Sequence, residues 1–184
     1  GAPQLTVHRA DLLAALEGAL APDTIRFAAQ VAGAEETNNG AVAILTDGTR
    51  FEADLLIGAD GIHSAVRLAL FGEDHPRFTG LVSYRAVFPR ERGEGIPNLD
   101  SFTKWWGPTP DRQIVTFPLN LGTEIFVFAT TPQDDWTEEG WTLPGAIQEL
   151  RDAYADFHPE ARALLDACET VTRSALHVRD PMER

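Results

Sequence analysis

Cysteine, basic side chains and long apolar runs are all scarce in this chain of 184 residues. Cys168 is the single cysteine, which excludes an internal disulfide and a cluster of thiolate metal ligands. It lies in a helical pattern, so we expect a buried structural thiol. The five histidines are dispersed along the chain, and no two have the short spacing that zinc sites favour. A metal site is therefore not expected.

Basic residues number 15 against 28 acidic ones, which gives a formal net charge of -13. Such a surface repels polyphosphate backbones, and no local basic patch offsets it, so we expect no nucleic-acid partner. No apolar run is long enough to span a bilayer, and the chain does not open with a basic segment followed by an apolar one. These absences predict a cytoplasmic protein without a membrane partner.

The first part of the chain predicts a helix and a small antiparallel meander that lead into a buried strand. Apolar groups recur at helical spacing over residues 8–20. Short alternating segments, separated by Asn-Asn-Gly and Asp-Gly turn signals, predict strands over 25–31, 41–45 and 50–53. Residues 54–58 are apolar without alternation, as expected of a strand buried on both faces. A helix is then predicted over 63–70.

The character of the chain changes after residue 76. Segments rich in aromatic and β-branched residues predict four strands, over 81–88, 101–106, 113–119 and 124–131. Two helices are predicted next, over 143–154 and 159–168, and Pro159 suits the first turn of the second helix. Residues 170–178 predict a final strand.

The sequence Gly58-Ala59-Asp60-Gly61 joins the apolar strand to the following helix. Glycines permit a tight turn and a close approach of a ligand, and an aspartate can accept hydrogen bonds from a sugar hydroxyl or from backbone amides. A helix N-terminus just beyond suits a phosphate. These features favour a dinucleotide contact, although four such residues are also found in ordinary turns between a strand and a helix.

The longer string over residues 56–67, Leu-Ile-Gly-Ala-Asp-Gly-Ile-His-Ser-Ala-Val-Arg, resembles the second motif of the para-hydroxybenzoate hydroxylase-like, FAD-dependent aromatic monooxygenases. The resemblance implies that Asp60 and Gly61 lie near the FAD pyrophosphate and ribose, in a segment that also serves NAD(P)H binding. The string His-Arg-Ala-Asp-Leu at residues 8–12 is similar to a helix start in that family. By that likeness Arg9 reaches the FAD phosphates and the backbone of Val31 contacts the adenine side. Without it, Arg9 is an ordinary solvated arginine at a helix end.

The resemblance continues beyond residue 76. Segments 103–107 and 111–115, and further short strings at 157–159 and 175–181, are similar to the branch that holds salicylate hydroxylases and 6-hydroxynicotinate 3-monooxygenase. It implies that the parent enzyme hydroxylates a phenolic or N-heteroaromatic acid-like substrate. The reaction would use NAD(P)H and O2 and pass through a flavin C4a-hydroperoxide.

Three residues are candidates for substrate binding. Where 6-hydroxynicotinate 3-monooxygenase carries a histidine and, four residues on, a tyrosine, this chain has Gln113 and Phe117. Glutamine can orient a substrate but cannot take its proton, so the substrate's identity does not carry over. Arg85 is a candidate to pair with a carboxylate or to lie near the flavin ring. All three residues are equally compatible with ordinary positions in a sheet, and no catalytic residue is assigned.

The family's Gly-x-Gly-x-x-Gly turn and its later Gly-Asp motif are both missing from this chain. We therefore expect a middle fragment of a longer enzyme, inactive by itself and not retaining FAD. The buried strand over 54–58 would then lack its neighbours. A homo-oligomer or a swapped dimer is the expected way to cover it.

The expected fold class is α+β, within a parent that is α/β overall: a partial FAD-binding domain and a mixed or antiparallel substrate sheet backed by helices. The resemblance assigns residues 1–75 to the FAD-binding part, 76–172 to the substrate domain and 173–184 to a strand that returns towards the FAD domain.

Two alternatives stay open. The chain could be a non-catalytic ligand-binding or interaction module that keeps the fold but not the flavin. It could also belong to an unrelated dinucleotide-dependent dehydrogenase. The dehydrogenase predicts parallel strands alternating with helices after residue 70, and the aromatic-rich strands there argue against it.

Overall fold

The computed structural model describes residues 5–138 and 140–181. The predicted first domain and return strand each extend outside these ranges, to residues 1–4 and 182–184 respectively. Within the described residues, helices and antiparallel strands confirm the α+β class. The chain divides into two compact units. The large unit takes Gly1–Gly18 and Phe78–Leu176, and the small unit takes Ala19–Arg77 and His177–Arg184.

The elements have the following bounds in chain order. The α-helices are α1 Arg9–Gly18, α2 Ala65–Phe71, α3 Ile147–Ala153 and α4 Pro159–Ala167. The strands are β1 Val31–Thr37, β2 Gly40–Leu45, β3 Arg50–Ala53, β4 Arg77–Pro89, β5 Thr103–Trp106, β6 Gln113–Leu119, β7 Glu124–Pro132, β8 Leu143–Gly145 and β9 Val171–Val178. Short 3-10 turns follow β4 at Arg90–Gly93 and link β6 to β7 at Asn120–Gly122.

Strands β1, β2 and β3 form an antiparallel sheet in the small unit, with β2 at its centre. The predicted Asn-Asn-Gly turn closes the hairpin between β1 and β2. The strand predicted over 25–31 is wrong, because β1 begins only at Val31. Ala28 has a φ of 54°, which interrupts extended backbone, and Val31 already lies opposite Leu45 at the end of β2.

Residues 54–58 do not form the predicted buried strand. They belong to neither sheet, and the side chains of Leu55 and Ile57 are 73% and 76% exposed. A strand is stabilised by hydrogen bonds to a neighbour, and none of the strands in the described ranges pairs with this segment. The helix predicted after it is confirmed, since α2 occupies nearly the expected residues.

The large unit is built on a six-stranded sheet with the order β5-β6-β7-β4-β9-β8. The pairs β5–β6, β6–β7, β4–β7 and β8–β9 are antiparallel, which contradicts the parallel alternation expected of a dehydrogenase. Alternate residues of each strand face α3 and α4 and form one apolar core. Its members include Val82, Tyr84, Phe88, Ile114, Ile125, Val127, Leu150, Tyr154, Leu164 and Leu165.

The helix predicted over 143–154 begins later than expected, at Ile147. The first three residues of the prediction form β8, which pairs with β9. Pro144 has no N–H to donate within a helix, and a Cβ on Gly145 would lie 2.9 Å from the Cγ2 atom of Val171. The close approach of β8 to β9 therefore depends on glycine at this position.

The buried side chain of Tyr154 connects the end of α3 to two strands of the sheet. Its hydroxyl lies 2.5 Å from the carbonyl oxygen of Thr130 and 2.9 Å from that of Gln113, and it accepts the N–H of Thr130 at 3.2 Å. The ring also packs edge-on against Phe157, with centroids 4.5 Å apart. Burial raises the pKa of Tyr154 to about 12, so the phenol keeps its proton at neutral pH.

The substitution Tyr154→Phe is expected to lower the free energy of unfolding by about 1–3 kcal/mol, because buried backbone groups lose their partner. Urea unfolding followed by far-UV circular dichroism measures the change. Tyr84→Phe is the matched control, since the Tyr84 hydroxyl only accepts a hydrogen bond from the Gln133 amide at 3.1 Å. Equal losses in the two variants would contradict the role given to Tyr154.

Candidate functional site

The carboxylate of Asp60 shapes the turn over residues 58–64, which we call the motif loop. One oxygen, Oδ1, accepts the hydroxyl of Ser64 at 2.5 Å. The other, Oδ2, accepts the N–H groups of Ala65 and Val66 at 2.7 and 3.2 Å. Ser64 is the N-cap of α2, and its Oγ accepts the N–H of Arg67 at 2.9 Å. The helix start is thus closed by two side chains of the loop itself.

These contacts determine the electrostatics of Asp60. The hydrogen bond from Ser64 and those from the first amides of α2 hold the pKa of the Asp60 carboxyl below its usual range. Asp60 is therefore ionised at neutral pH. The amides of Ala65 and Val66, which the sequence suggested for a phosphate, already donate to Asp60.

Two glycines give the motif loop its path. A Cβ on Gly58 would lie 2.8 Å from the Cγ1 atom of Val66, so glycine lets the loop pack tightly on α2. Gly61 has a φ of 80°, a conformation that residues with a Cβ rarely adopt. Beside the loop lies an open cavity of about 290 Å³, lined by Gly58, Asp60, Gly61, Ser64, Val66, Arg67, Leu70 and Phe71.

The other two predicted cofactor residues lie on separate elements. Val31 is the first residue of β1 in the small unit and is partly buried. Arg9 is the first residue of α1 and is exposed. It belongs to the large unit, so the predicted cofactor set is divided between the two units. The segment before α1 is fixed to the sheet, because the Thr6 hydroxyl donates to the Pro118 carbonyl at 2.6 Å.

The three predicted substrate residues lie on one face of the six-stranded sheet, opposite the helices. Arg85 on β4 lies opposite Phe128 on β7, and Phe128 lies opposite Val115 on β6. Gln113 and Phe117 flank Val115 at alternate positions and so point to the same side. Strand β7 lies between Arg85 on β4 and the two residues on β6. Adjacent strands are about 4.8 Å apart. We call this side the open face.

Arg85 is held in place by the large unit but keeps an uncompensated charge. Its Nη2 atom donates to the Trp141 carbonyl and to the Ser174 hydroxyl, both at 2.6 Å, and its guanidinium stacks 4.2 Å above the Trp141 ring. No carboxylate within the described ranges pairs with it, and its Nε atom is buried without a hydrogen-bond partner. Burial lowers the pKa of the Arg85 guanidinium, which nonetheless stays protonated at neutral pH.

Aromatic rings make up the neighbouring part of the open face. Phe117 stacks against Phe126 and Phe102, with centroids 4.8 and 5.8 Å apart. The Oε1 atom of Gln113 is buried and has no partner. The face therefore combines a cation, a flat aromatic surface and an unused amide acceptor, which suits a planar ring that carries an anionic group and a hydrogen-bond donor.

Sequence reasoning missed three residues of this arrangement. Phe126 and Phe128 follow from the alternation of β7 once the register with β6 is known. Trp141 lies outside any periodic element, and no local pattern connects it with Arg85, 56 residues earlier.

Two further properties concern the residues that the structure describes. Among them, no group of three or more histidine, cysteine, aspartate or glutamate side chains could hold a metal ion. In the same ranges, no helix has both the length and the apolar character needed to cross a membrane.

Known proteins were compared with the chain by sequence and by structure. The profile of a family described as FAD binding domain matches residues 2–166. The chain is 35% identical over 184 residues to 6-hydroxynicotinate 3-monooxygenase of Pseudomonas fluorescens, covering 99% of this chain and 47% of that protein. The chain thus spans about half the length of the curated relatives it matches.

Solved structures agree with the sequence comparison. A salicylate hydroxylase in a substrate complex superposes with a TM-score of 0.78 at 28% identity, over 95% of this chain and 47% of that one. HpxO of Klebsiella pneumoniae, complexed with FAD and uric acid, superposes with a TM-score of 0.75 at 25% identity, over 95% and 44%. The predicted likeness to the flavin-dependent aromatic hydroxylases is confirmed, and the chain belongs to the FAD binding domain family.

Proposed function

We propose that the protein encoded by the complete reading frame is an FAD-dependent monooxygenase that hydroxylates an aromatic substrate with NAD(P)H and O2. The observation that carries this proposal is the open face of the large unit, where stacked phenylalanines lie on the same side of one sheet as a guanidinium that no carboxylate of the described residues pairs with. The relatives support it by their names, since 6-hydroxynicotinate and salicylate are both planar aromatic acids.

Different parts of the chain would bind the cofactor and the substrate. We propose that residues 1–75 contribute to the FAD-binding domain, that 76–172 bind the substrate and that 173–184 return towards the FAD domain. The motif loop supports the first assignment, and the open face supports the second.

The motif loop fits part of a dinucleotide. An ionised carboxylate has about four lone-pair sites, and three donors already bond to Asp60, which leaves room for one sugar hydroxyl. Nothing lies within 4 Å of a Cβ position on Gly61, so a ligand can approach the backbone there. The proposed holders of FAD are Asp60 and Gly61 at the ribose and pyrophosphate, Arg9 at the phosphates and the Val31 backbone at the adenine side. When bound, FAD supplies the redox chemistry that activates O2.

The open face would bind and orient the substrate. Arg85 offers charge to a carboxylate, Phe117 offers a surface for the ring, and Gln113 offers an acceptor for a ring hydroxyl or N–H group. Gln113 cannot accept a proton at neutral pH. The three residues therefore position the ring and stabilise its negative charge, and they do not deprotonate it.

Flavin content and substrate-dependent oxidation of NAD(P)H test the proposed activity. The protein made from the complete reading frame is expected to purify with bound flavin and to oxidise NAD(P)H faster when a small aromatic acid is added. Absorbance at 340 nm measures the oxidation, and mass spectrometry measures a product heavier by one oxygen atom. A colourless protein, or NAD(P)H oxidation that no aromatic acid changes, would contradict the proposal. Saturable binding of aromatic acids without flavin would instead support a non-catalytic binding module.

The proposed role of Arg85 is tested by the difference between a charged and a neutral ligand. In the same protein, Arg85→Gln is expected to weaken binding of an aromatic carboxylate by about 10- to 100-fold, because a charge-assisted hydrogen bond contributes about 1.5–3 kcal/mol. Binding of the corresponding neutral amide should change little, and the acid-to-amide ratio is independent of small losses in stability.

Arg90→Gln is the matched control for this experiment. Arg90 lies just beyond the end of the same strand, where its guanidinium pairs with Asp100 at 2.8 Å. Its loss should leave the acid-to-amide ratio unchanged. An unchanged ratio in Arg85→Gln would exclude Arg85 from carboxylate binding.

A further inference from the structure

Arg179 contacts the motif loop across a sequence separation of 117 residues. Its Nε and Nη2 atoms both donate to the carbonyl oxygen of Ile62, at 2.8 and 2.6 Å. Its Nη1 atom donates to the backbone carbonyl of Asp74 and lies 2.9 Å from the Oδ2 atom of that residue. The side chain is 16% exposed, so three nitrogens of one partly buried guanidinium are bonded to two segments of the small unit.

A second arginine completes the cluster. The Nε and Nη2 atoms of Arg67, on α2, donate to the same Asp74 oxygen at 2.9 and 2.5 Å. Hydrogen bonds from Arg67 and then from Arg179 hold the pKa of the Asp74 carboxyl below its usual range. Asp74 is therefore charged at neutral pH and connects the two arginines. The cluster links the helix after the motif loop to the segment that follows β9.

The motif loop is thus fixed from two sides. Asp60 fixes it internally, through Ser64 and the first amides of α2. Arg179 fixes it externally, through the carbonyl of Ile62. The residues before the loop provide no comparable support, since Leu55 and Ile57 are exposed and residues 54–57 belong to neither sheet.

We propose that Arg179 is a positioning residue, which sets the conformation of the motif loop through Ile62 and Asp74 and thereby the affinity of that loop for the dinucleotide. The second half of this statement rests on the proposed function. Arginine suits the role because its planar fork donates to a carbonyl through two nitrogens while the third bonds to another segment. A lysine has one nitrogen, and it cannot reproduce these directions together.

Hydrogen–deuterium exchange on the 184-residue chain tests the first half without any ligand. In Arg179→Gln, the amides of residues 60–66 are expected to exchange about tenfold faster or more, because charge-assisted hydrogen bonds of about 1.5–3 kcal/mol are lost. Exchange over β1 to β3 should stay unchanged. Arg179→Lys should recover only part of the protection. Equal acceleration in both segments would show a general structural role, and no acceleration would show that Arg179 does not fix the motif loop; either result overturns the proposal.

Arg77→Gln is the control variant. Arg77 is exposed, and its Nη2 atom lies 3.9 Å from Asp180, directly after Arg179 in the sequence. Removing this charge should not change exchange of the motif loop, because a surface ion pair at that distance contributes little.

FAD binding by the protein from the complete reading frame tests the second half. Arg179→Gln should raise the Kd for FAD about tenfold. The midpoint of its thermal unfolding should change little, in line with the unchanged exchange expected over β1 to β3. Faster loop exchange with an unchanged Kd would overturn the link to the cofactor. If the unmodified protein binds no flavin, the proposed function fails, whereas the exchange experiment still decides whether Arg179 fixes the loop.

Discussion

One carboxylate with three hydrogen-bond donors determines the shape of the candidate cofactor loop. Asp60 accepts from the hydroxyl of Ser64 and from two amides at the start of α2. Without that acceptor, the amides of Ala65 and Val66 at the start of α2 would lose the partner they have in the chain. The turn and the helix therefore form together, with Gly58 leaving room for the Val66 side chain and Gly61 adopting a positive φ. A ligand would meet a loop whose conformation the chain has already fixed.

The two faces of the sheet in the large unit differ because side chains alternate along antiparallel strands. The inner positions are mainly apolar and pack on α3 and α4, while the outer positions carry Arg85, Gln113 and Phe117. A sheet covered by helices on one side can carry ligand-binding side chains on the other side without disturbing its core. The charge of Arg85 remains available because its partners, Trp141 and Ser174, are neutral.

Local sequence signals predicted the elements that are stabilised locally. Pro159 at the first turn of α4 is a signal contained within a few residues, and both α4 and α2 formed close to where expected. The strand over 54–58 failed because a strand depends on a partner that its own sequence does not specify. The start of α3 failed because Pro144 and Gly145 pair with β9, which lies later in the chain.

The candidate site shows the same limit. Asp60 and Gly61 belong to a contiguous motif, and the grouping of Gln113 with Phe117 follows from strand period. The bond from Arg179 to Ile62 and the stacking of Trp141 on Arg85 join residues that are distant in sequence, and no local pattern predicts them. In each case the contact was determined by the packing of the unit and not by the neighbouring residues.

The central claim is that Asp60 fixes the motif loop as a carboxylate bonded to donors of this chain. The direct measurement is a pH titration of the Asp60 carboxyl carbon by NMR in the unliganded 184-residue chain. The donors stabilise the ionised form, so the account predicts a pKa below the ordinary aspartate value of about 3.9, with the contribution to loop stability present above that pH and lost as the pH falls through the lowered pKa. A pKa at or above the ordinary value would show that these hydrogen bonds are not formed in solution and would contradict the central claim.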